Sequence, residues 1–272
     1  MAGRLASSPY WVKPHQKIKL SHFPTADAGR YQNKEEAAAA DLERHRQRLD
    51  ELQELLTADC KHAVLIVLQG MDTAGKDGTI RHIFTGVNPQ ACNVTPFKVP
   101  TPLELRHDFL WRAHNAVPAH GTIGIFNRSH YEDVLVTRVH KQVEHKMVKR
   151  RFQEIVSFEK MLSENSVTIL KFFLHISREE QTRRLAERLA DKDKQWKLSQ
   201  SDFVERGHWP QYIKAYEDAI EHTSRKHAPW FIIPSDHKWY RKVAISEILV
   251  NAIGKLKMKY PEPDFDPSKV KL

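Results

Sequence analysis

The sequence predicts an α/β fold in which a parallel five-stranded sheet lies between two layers of helices. Five short apolar runs alternate with longer stretches of helical periodicity. Strands that alternate with helices form right-handed crossover units, which make the strands parallel and place helices on both faces of the sheet. The 272 residues suffice for one large domain with an extensive core, and the chain shows neither an internal repeat nor a second core.

The elements follow in chain order from an irregular N-terminal arm, residues 1–33, which is polar and contains three prolines. Residues 34–57 carry leucines at helical spacing and predict a helix that packs on the domain. A single domain is expected over residues 34–258, followed by a C-terminal tail over residues 259–272. The predicted strands are residues 64–68, 94–99, 122–127, 167–176 and 230–234, and the later predicted helices are residues 102–116, 130–163, 178–190, 201–225 and 240–258.

A glycine loop follows the first predicted strand. Uncharged residues 64–68 lead into Gly70-Met-Asp-Thr-Ala-Gly75-Lys76, which has the G-x-x-x-x-G-K spacing of a phosphate cradle. Glycines let backbone amides turn toward an anion, while a helix N-terminus and Lys76 add positive charge. The spacing alone also fits a tight strand-to-helix turn, but the strand before it and the helix start after it favour a phosphate loop. The predicted phosphate-binding residues in this segment are Gly70, Met71, Thr73, Ala74, Gly75, Asp77 and Gly78.

Two acids distinguish this loop from its common form. The residue after the lysine is Asp77, where Ser or Thr usually binds magnesium, and Asp72 lies within the loop itself. A carboxylate repels a phosphate unless a divalent cation lies between them. Asp72 is therefore predicted to bind magnesium or to orient the acceptor phosphate. Asp77 has two interpretations, a metal ligand or an acid that complements the helix dipole.

A second polar cluster follows the third predicted strand, with the sequence Asn127-Arg-Ser-His-Tyr-Glu-Asp133. Ligands of open α/β sheets bind at the carboxyl ends of strands, so this cluster is expected beside the phosphate loop. Arg128 can bind a phosphate through its planar fork of donors, and Glu132 or Asp133 can anchor magnesium. The alternative is an acidic first helical turn with Arg128 in an ordinary ion pair. The number of polar groups directly after an apolar strand favours a functional site.

A basic segment, residues 178–200, follows the fourth predicted strand. Ser177 and Glu180 have the spacing of a helix capping box, and Arg184 and Arg188 share one helical face. A charge run usually marks a solvated face, yet positive residues outnumber acids over residues 183–197. A mobile lid that closes over phosphates is the favoured interpretation. On this interpretation Arg184 and Arg188 act only by folding over bound phosphates and do not shape the empty loop.

Composition limits the class of protein and its partners. The chain has 43 Lys and Arg residues against 34 Asp and Glu, a net charge of +9, which favours polyanions such as nucleic acid, anionic membranes or phosphate chains. The two cysteines, Cys60 and Cys92, lack metal-like spacing and suit a reducing cytoplasm. Neither a signal-peptide pattern nor a membrane span is visible. A cytoplasmic protein without a membrane partner is expected.

Five motifs together resemble family-2 polyphosphate kinases: GMDTAGKDGT, FNRSHYEDV, FLHIS-x-x-EQ-x-x-R, D-x-x-x-x-WK and APW-x-x-IP-x-x-x-x-WYR. The resemblance runs from about residue 34 to residue 260. It implies a three-layer α/β/α P-loop kinase fold with a helical lid, magnesium dependence, and phosphoryl transfer between inorganic polyphosphate and nucleotides. Gly70, Asp72, Gly75 and Lys76 match the family's phosphate loop. The lid of the family corresponds to residues 178–197.

The second motif both matches the family and departs from it. Asn127, Arg128 and Glu132 match its positions, but much of the family has Asp where this chain has Asn127, which weakens any metal-binding role there. The N-R-S-H-Y-E-D variant resembles the subgroup that acts on both nucleoside mono- and diphosphates. The implied acceptors are AMP and ADP, with guanine nucleotides as a further candidate class. Mg²⁺, with Mn²⁺ as a substitute ion, is the expected cofactor, and a homo-oligomer, dimer or tetramer, is expected.

These expectations combine into one mechanism with two rivals. A polyphosphate chain is expected along a basic groove near Lys76, Arg81 and the lid, and magnesium is expected on Asp72 and Glu132, with Asp133 a further candidate ligand. The predicted catalytic residues are Asp72, Lys76, Arg128, Glu132, Arg184 and Arg188, and further predicted phosphate or nucleotide contacts are Arg81, Asn127, Arg178, Lys192 and Lys197. The rivals are an ATP-dependent nucleoside monophosphate kinase and a basic nucleic-acid-binding protein. The chain carries no helix-turn-helix, RNA-recognition or zinc signature that would support the second rival, so no nucleic-acid partner is expected.

Overall fold

The computed structural model describes residues 8–31 and 35–270, so the expectations for residues 1–7, 32–34, 271 and 272 lie outside the described residues. Its centre is a five-stranded parallel sheet with the order β2-β3-β1-β4-β5, which confirms the predicted fold class. The strands are β1 (Ala63–Gly70), β2 (Cys92–Pro96), β3 (Ile123–Asn127), β4 (Val167–His175) and β5 (Trp230–Pro234). The helices are α1 (Glu35–Asp59), α2 (Lys76–Ile83), α3 (Trp111–Asn115), α4 (Glu132–Val139), α5 (His145–Glu164), α6 (Arg178–Ala190), α7 (Gln200–Gly207), α8 (Trp209–Thr223) and α9 (Lys238–Ile253).

Two helical layers cover the sheet. Helix α1 packs along α9, which also contacts α2 and the strands β4 and β5. Helices α4, α5 and α8 pack on one another in the second layer. All eight residues of β1 are buried, since the strand is flanked by β3 and β4 and covered from both sides. The register aligns Leu68 of β1 with Asn127 of β3, so the loop after β1 and the cluster after β3 leave the sheet at the same edge.

Three predicted helices differ from the structure. Residues 102–116 form only a short 3₁₀ turn, Glu104–Arg106, and α3, because Leu103 and Leu105 are exposed and give the segment no apolar face to bury. Residues 130–163 divide into α4 and α5 around Lys141, whose φ is 54°. Residues 201–225 divide into α7 and α8 at His208, where a proline occupies the first turn of α8.

The described part of the N-terminal arm, residues 8–31, contains two short 3₁₀ turns and contributes to the core. Val12 donates its backbone N–H to Trp230 O at 2.9 Å, and Ile232 donates to Tyr10 O at 2.9 Å. These bonds cover the exposed edge of β5, which would otherwise present unpaired backbone groups. Val12, Ile18 and Leu20 are buried. The arm is therefore integrated into the domain, although its local sequence is mostly polar.

Candidate active site

The phosphate loop, residues 70–76, joins the end of β1 to the start of α2. Ala74 donates its backbone N–H to Met71 O at 3.1 Å, which closes a tight turn inside the loop. Gly75 has a φ of 102°, a conformation that L side chains rarely adopt, and a Cβ there would lie 2.4 Å from Arg241 Nη1. A glycine is thus required at this position by both the backbone conformation and the space. Helix α2 begins at Lys76, so its free backbone donors open toward the loop.

Lys76 folds back against the loop that it follows. Its Nζ donates to Gly70 O at 2.8 Å, and the residue is only 9% exposed. Burial, reinforced by the positive charge of Arg128, lowers the pKa of Lys76 to about 8, although three nearby carboxylates oppose the shift. The ammonium is therefore mostly charged at neutral pH, and its predicted contact with phosphate stays a prediction.

Arg128 connects the two predicted acids of the site. Its Nη2 donates to Asp72 Oδ1 at 2.7 Å, and its Nη1 lies 3.8 Å from Glu132 Oε2. Arg128 has a φ of 61°, an uncommon left-handed conformation for a residue other than glycine. Burial opposes the charge of this guanidinium, yet Glu132 and Asp72 together raise the pKa of Arg128. Burial also raises the pKa of Glu132, against the opposing effect of Arg128 and Lys76.

The remaining acids of the two motifs are placed differently. Asp77 accepts a hydrogen bond from Asn127 Nδ2 at 2.7 Å, so these two residues join the start of α2 to the end of β3. Asp133 instead pairs with Arg112 at 3.3 Å and does not line the cavity described below. Successive helical residues are rotated by about 100°, which explains why Glu132 and its neighbour Asp133 face different surroundings. The expectation that Asp133 holds the metal is therefore contradicted by its position.

The donor set of the site fits magnesium only in part. Within residues 8–31 and 35–270, no group of three or more His, Cys, Asp and Glu side chains is arranged to hold a metal ion. Asp72 and Glu132 are the two carboxylates that remain beside Arg128. Mg²⁺ is commonly bound through one or two carboxylates plus substrate phosphates and water, so this pair suffices if phosphate oxygens complete the coordination.

A cavity of about 260 Å³ opens beside the phosphate loop. Its lining includes Gly70, Asp72, Arg128 and Glu132 of the two motifs. The rest of the lining combines apolar, aromatic and polar side chains, namely Met71, Val99, Val136, Gln181, Ser201, Asp202, Glu205, Arg206, Tyr212 and Tyr216. This mixture of charged and apolar side chains suits a ligand that carries both a phosphate and a larger organic group.

Helix α6, the first part of the predicted lid, is anchored to the phosphate loop. Ser177 accepts a hydrogen bond from Glu180 N at 3.0 Å and so caps the helix at its start. Gln181 Nε2 donates to Asp72 O at 2.9 Å. Arg184 is 5% exposed and its Nη1 donates to Thr73 O and Ala74 O at 2.9 and 3.1 Å. The interpretation that Arg184 acts only by closing over phosphates and does not shape the loop is therefore wrong, since its guanidinium donates directly to two loop carbonyls.

The later basic residues of the lid are more exposed. Arg188 lies one turn beyond Arg184 and is only partly buried, and no ion pair of Arg188 occurs among the described parts of the chain. Arg178, Lys192 and Lys197 are exposed, and so is Arg81 on α2. The structure does not bring Arg178, Lys192 or Lys197 to the lining of the cavity. Their predicted contacts with phosphate stay predictions.

Three residues at the site were not identified by the sequence reasoning. Arg206, on α7, donates to Gln181 Oε1 and to Thr182 Oγ1 and so fastens α7 to α6. Glu205 accepts from Tyr212 at 2.6 Å and lies 2.9 Å from His140 Nε2. Arg241, on α9, donates to Ala74 O at 2.7 Å. A sequence signal was available for Arg241, the last residue of the W-Y-R motif, whereas the contacts of Arg206 and Glu205 depend on how α7 packs against α6 and α8.

A buried polar network lies behind the second motif. Lys171 Nζ, on β4, contacts Glu159 Oε2 at 2.5 Å and Tyr131 Oη at 2.9 Å, and Tyr131 donates to Glu159 Oε1 at 2.9 Å. Lys171 and Glu159 are 0% and 1% exposed, and His130 is also fully buried against this group. These buried hydrogen bonds fix the position of Tyr131, and this orients the neighbouring Arg128 and Glu132 toward the cavity.

The fold and the site together define a P-loop phosphotransferase of the α/β/α type. The sequence model of the family described as Polyphosphate kinase 2 (PPK2) matches residues 32–261. Because this match spans most of the chain, the protein belongs to the polyphosphate kinase 2 family.

Individual relatives agree with this assignment. The chain is 47% identical over 261 residues to an AMP/ADP-polyphosphate phosphotransferase of Meiothermus ruber, an alignment that covers 96% of this chain and 98% of the relative. It is 39% identical over 271 residues to an ADP-polyphosphate phosphotransferase of Rhodopseudomonas palustris, covering 95% and 93%. The crystal structure of polyphosphate kinase 2 from Arthrobacter aurescens TC1 superposes with a TM-score of 0.93 at 39% identity, covering 96% of this chain and 93% of that one. Among the described residues, no helix combines the length and apolar character that spanning a bilayer requires.

Proposed function

We propose that this enzyme transfers phosphoryl groups reversibly between inorganic polyphosphate and nucleoside mono- and diphosphates, with Mg²⁺ as cofactor. The observation that carries the proposal is the meeting of the phosphate loop with Arg128, which lies between Asp72 and Glu132 in the lining of the cavity. The similarity to a relative named AMP/ADP-polyphosphate phosphotransferase supports polyphosphate as donor and both AMP and ADP as acceptors.

In the proposed reaction, an oxygen of the nucleotide's terminal phosphate attacks the terminal phosphorus of polyphosphate. The new P–O bond forms as the P–O bond to the rest of the chain breaks, and the polyphosphate leaves one phosphate shorter. The second pKa of a phosphate is about 6, so the acceptor is already ionised at neutral pH and needs no strong general base. Because an anhydride is broken and another is made, the reaction runs in both directions.

The residues of the site supply alignment and charge. Lys76 and the N-terminus of α2 attract the phosphate chain, and Arg128 stabilises the charge that spreads over the transferred group. Asp72 and Glu132 would hold Mg²⁺, which when bound neutralises charge on donor and acceptor oxygens. Arg128 is fixed by the same two carboxylates, so it is preorganised before the substrates bind. Tyr212, Val99 and Val136 form the part of the cavity that suits the nucleoside.

The test is an assay without ATP. AMP, ADP, GMP and GDP are each incubated with polyphosphate and Mg²⁺, and the products are separated by chromatography, with parallel samples containing Mn²⁺ or a chelator. We expect ADP to become ATP and AMP to become ADP, with loss of activity in the chelated samples. Phosphorylation of AMP by ATP but never by polyphosphate would favour a nucleoside monophosphate kinase. Salt-sensitive nucleic-acid binding without phosphoryl transfer would favour the second rival.

Lys76→Ala is the control variant for this assay. Its ammonium donates to the loop carbonyls of Gly70 and Met71, so we expect the fold to persist while the rate falls on the order of 10²–10³-fold, the usual cost of one preorganised contact to developing charge. Near wild-type turnover in Lys76→Ala would remove the assignment of the phosphate loop. The expected dimer or tetramer is measured on the same preparation by size-exclusion chromatography with light scattering.

A further inference from the structure

Two buried arginines converge on one carbonyl oxygen of the phosphate loop. Arg241 Nη1 donates to Ala74 O at 2.7 Å, and Arg184 Nη1 donates to the same oxygen at 3.1 Å. Arg241 Nε also donates to Thr79 Oγ1 at 2.9 Å, on the helix that begins at Lys76. Arg241 is 2% exposed and reaches the loop from α9. The guanidinium therefore joins the loop to the helix behind it.

This contact determines where one amide of the loop points. In a trans peptide the C=O and the N–H of the same unit point in opposite directions. The carbonyl of Ala74 is held toward Arg184 and Arg241, so the N–H of Gly75, which belongs to the same peptide unit, is directed away from them. The Arg241 guanidinium also occupies the space that a Cβ of Gly75 would need. The second glycine of the motif is thus matched to an arginine that lies far away in the sequence.

The charge of Arg241 is only partly offset by a nearby acid, because Glu180 favours the charged form of the guanidinium without forming an ion pair with it. Within residues 8–31 and 35–270, no carboxylate lies within ion-pairing distance of Arg241, whereas Arg184 pairs with Glu180 at 2.7 Å. Burial, together with the repulsion from Arg184, lowers the pKa of Arg241 to about 9, so it stays protonated at neutral pH. A buried positive charge without a counter-ion is costly, and an anion bound on the open side of the loop would offset that cost.

We infer that Arg241 is a positioning residue for phosphate binding: it holds the loop amide of Gly75 in place and supplies a positive charge that the bound phosphate chain neutralises. The inference rests on the proposed function, because it requires that phosphates bind at this loop. It adds to that function a residue of α9 that does not line the cavity and acts through the loop backbone.

The test compares Arg241→Met and Arg241→Lys with a matched control, Arg138→Met. Arg138 is partly buried, whereas Arg241 is fully buried; Arg138 is paired with Asp218 at 2.7 Å and does not touch the loop. For each protein, KM for polyphosphate and kcat are measured with ADP as acceptor. The melting temperature is measured with and without sodium tripolyphosphate.

For Arg241→Met we expect KM for polyphosphate to rise at least tenfold, because the loop loses both the hydrogen bond that orients the Gly75 amide and a nearby positive charge. The unliganded melting temperature should stay near the parent value or rise, and the upward shift caused by tripolyphosphate should shrink. Arg241→Lys keeps the positive charge but loses the planar set of guanidinium donors, so it should recover part of the affinity for polyphosphate. Arg138→Met should lower the melting temperature and leave both KM and the tripolyphosphate shift unchanged.

The outcomes separate this inference from the proposed function. If the parent neither transfers phosphate nor shifts its melting temperature with tripolyphosphate, the proposed function fails and the inference fails with it. If the parent does both and Arg241→Met matches it, only the inference is overturned. Failure of both Arg241 variants to fold would also overturn it, because the guanidinium would then serve the fold rather than the binding of phosphate.

Discussion

Arg128 Nη2 lies 2.7 Å from Asp72 Oδ1, although the two residues follow different strands and are 56 positions apart. Parallel β1 and β3 are neighbours in the sheet, so their carboxyl ends bring the phosphate loop and the second motif together. The guanidinium of Arg128, which can bind an anion, and the carboxylate of Asp72, which can bind a cation, are therefore in direct contact. On the proposed function, phosphate and Mg²⁺ would share or replace this contact when they bind.

The first prediction concerns Lys76 and pH. Burial and Arg128 lower the pKa of Lys76 to about 8, so in the free enzyme the ammonium is charged below that pH and loses its charge as pH rises through it. We expect kcat/KM for polyphosphate, which reports ionisations of the free enzyme, to fall above about pH 8. Lys76→Arg should remove this alkaline fall from its residual activity, because arginine stays charged. A profile that is flat to pH 9.5 in the parent would contradict the assignment.

The second prediction separates the two acids of the loop. Asp72→Asn keeps the shape of the side chain but removes the charge that attracts Mg²⁺ and pairs with Arg128. Activity should collapse, and added Mg²⁺ should restore it only partly. Asp77→Asn is the matched control: its amide oxygen can still accept from Asn127, so the effect should be milder. The measurement is a magnesium titration of turnover; parent-like activity of Asp72→Asn at low Mg²⁺ would place the metal elsewhere.

The third prediction addresses the buried network behind the second motif. Glu159→Gln leaves the fully buried Lys171 without its carboxylate partner, so stability should fall by about 3–5 kcal/mol. The double variant Glu159→Gln/Lys171→Met removes both charges and should recover most of that loss. Urea unfolding of the parent, Glu159→Gln, Lys171→Met and the double variant provides the measurement. Additive losses in the double variant would show that the two side chains do not act as a pair.

The fourth prediction contrasts two arginines on one helix. Arg184→Ala should lower both turnover and melting temperature, because Arg184 is buried and holds the carbonyls of Thr73 and Ala74. Arg188→Ala should lower turnover but change stability by under about 0.5 kcal/mol, as expected for a more exposed charge.

Limited proteolysis provides a second measurement for the lid. Polyphosphate should protect residues 178–200 in the parent and protect them less in Arg188→Ala, because a closed lid is ordered by its contacts with phosphate. Absence of ligand-dependent protection in the parent would show that this segment does not close over the substrate. Equal losses of stability in the Arg184 and Arg188 variants would show that both arginines serve the fold.

Local patterns in the sequence were enough to predict the sheet, the phosphate loop and the cluster after β3. The apolar run of β1 and the glycine spacing of the loop are patterns of neighbouring residues, and the rule that parallel strands end at one edge brought the two motifs together. The same local reasoning failed for the helix predicted over residues 102–116, whose leucines are exposed. It also failed for the metal role predicted for Asp133, because Glu132 faces the site while Asp133 pairs with Arg112.

The sequence by itself determined the fold class, the family and the chemistry of the loop, because periodicity and motif spacing are properties of neighbouring residues. Only the tertiary structure decided that Arg184 holds the loop, that Arg206 joins α7 to α6, and that Arg241 reaches Ala74 from α9. An arginine in a helix can face solvent, a substrate or the core, and its own sequence neighbourhood does not distinguish these. The packing of distant helices against the loop decides which of these an arginine faces. A buried guanidinium needs hydrogen-bond acceptors, and here the loop carbonyls provide them.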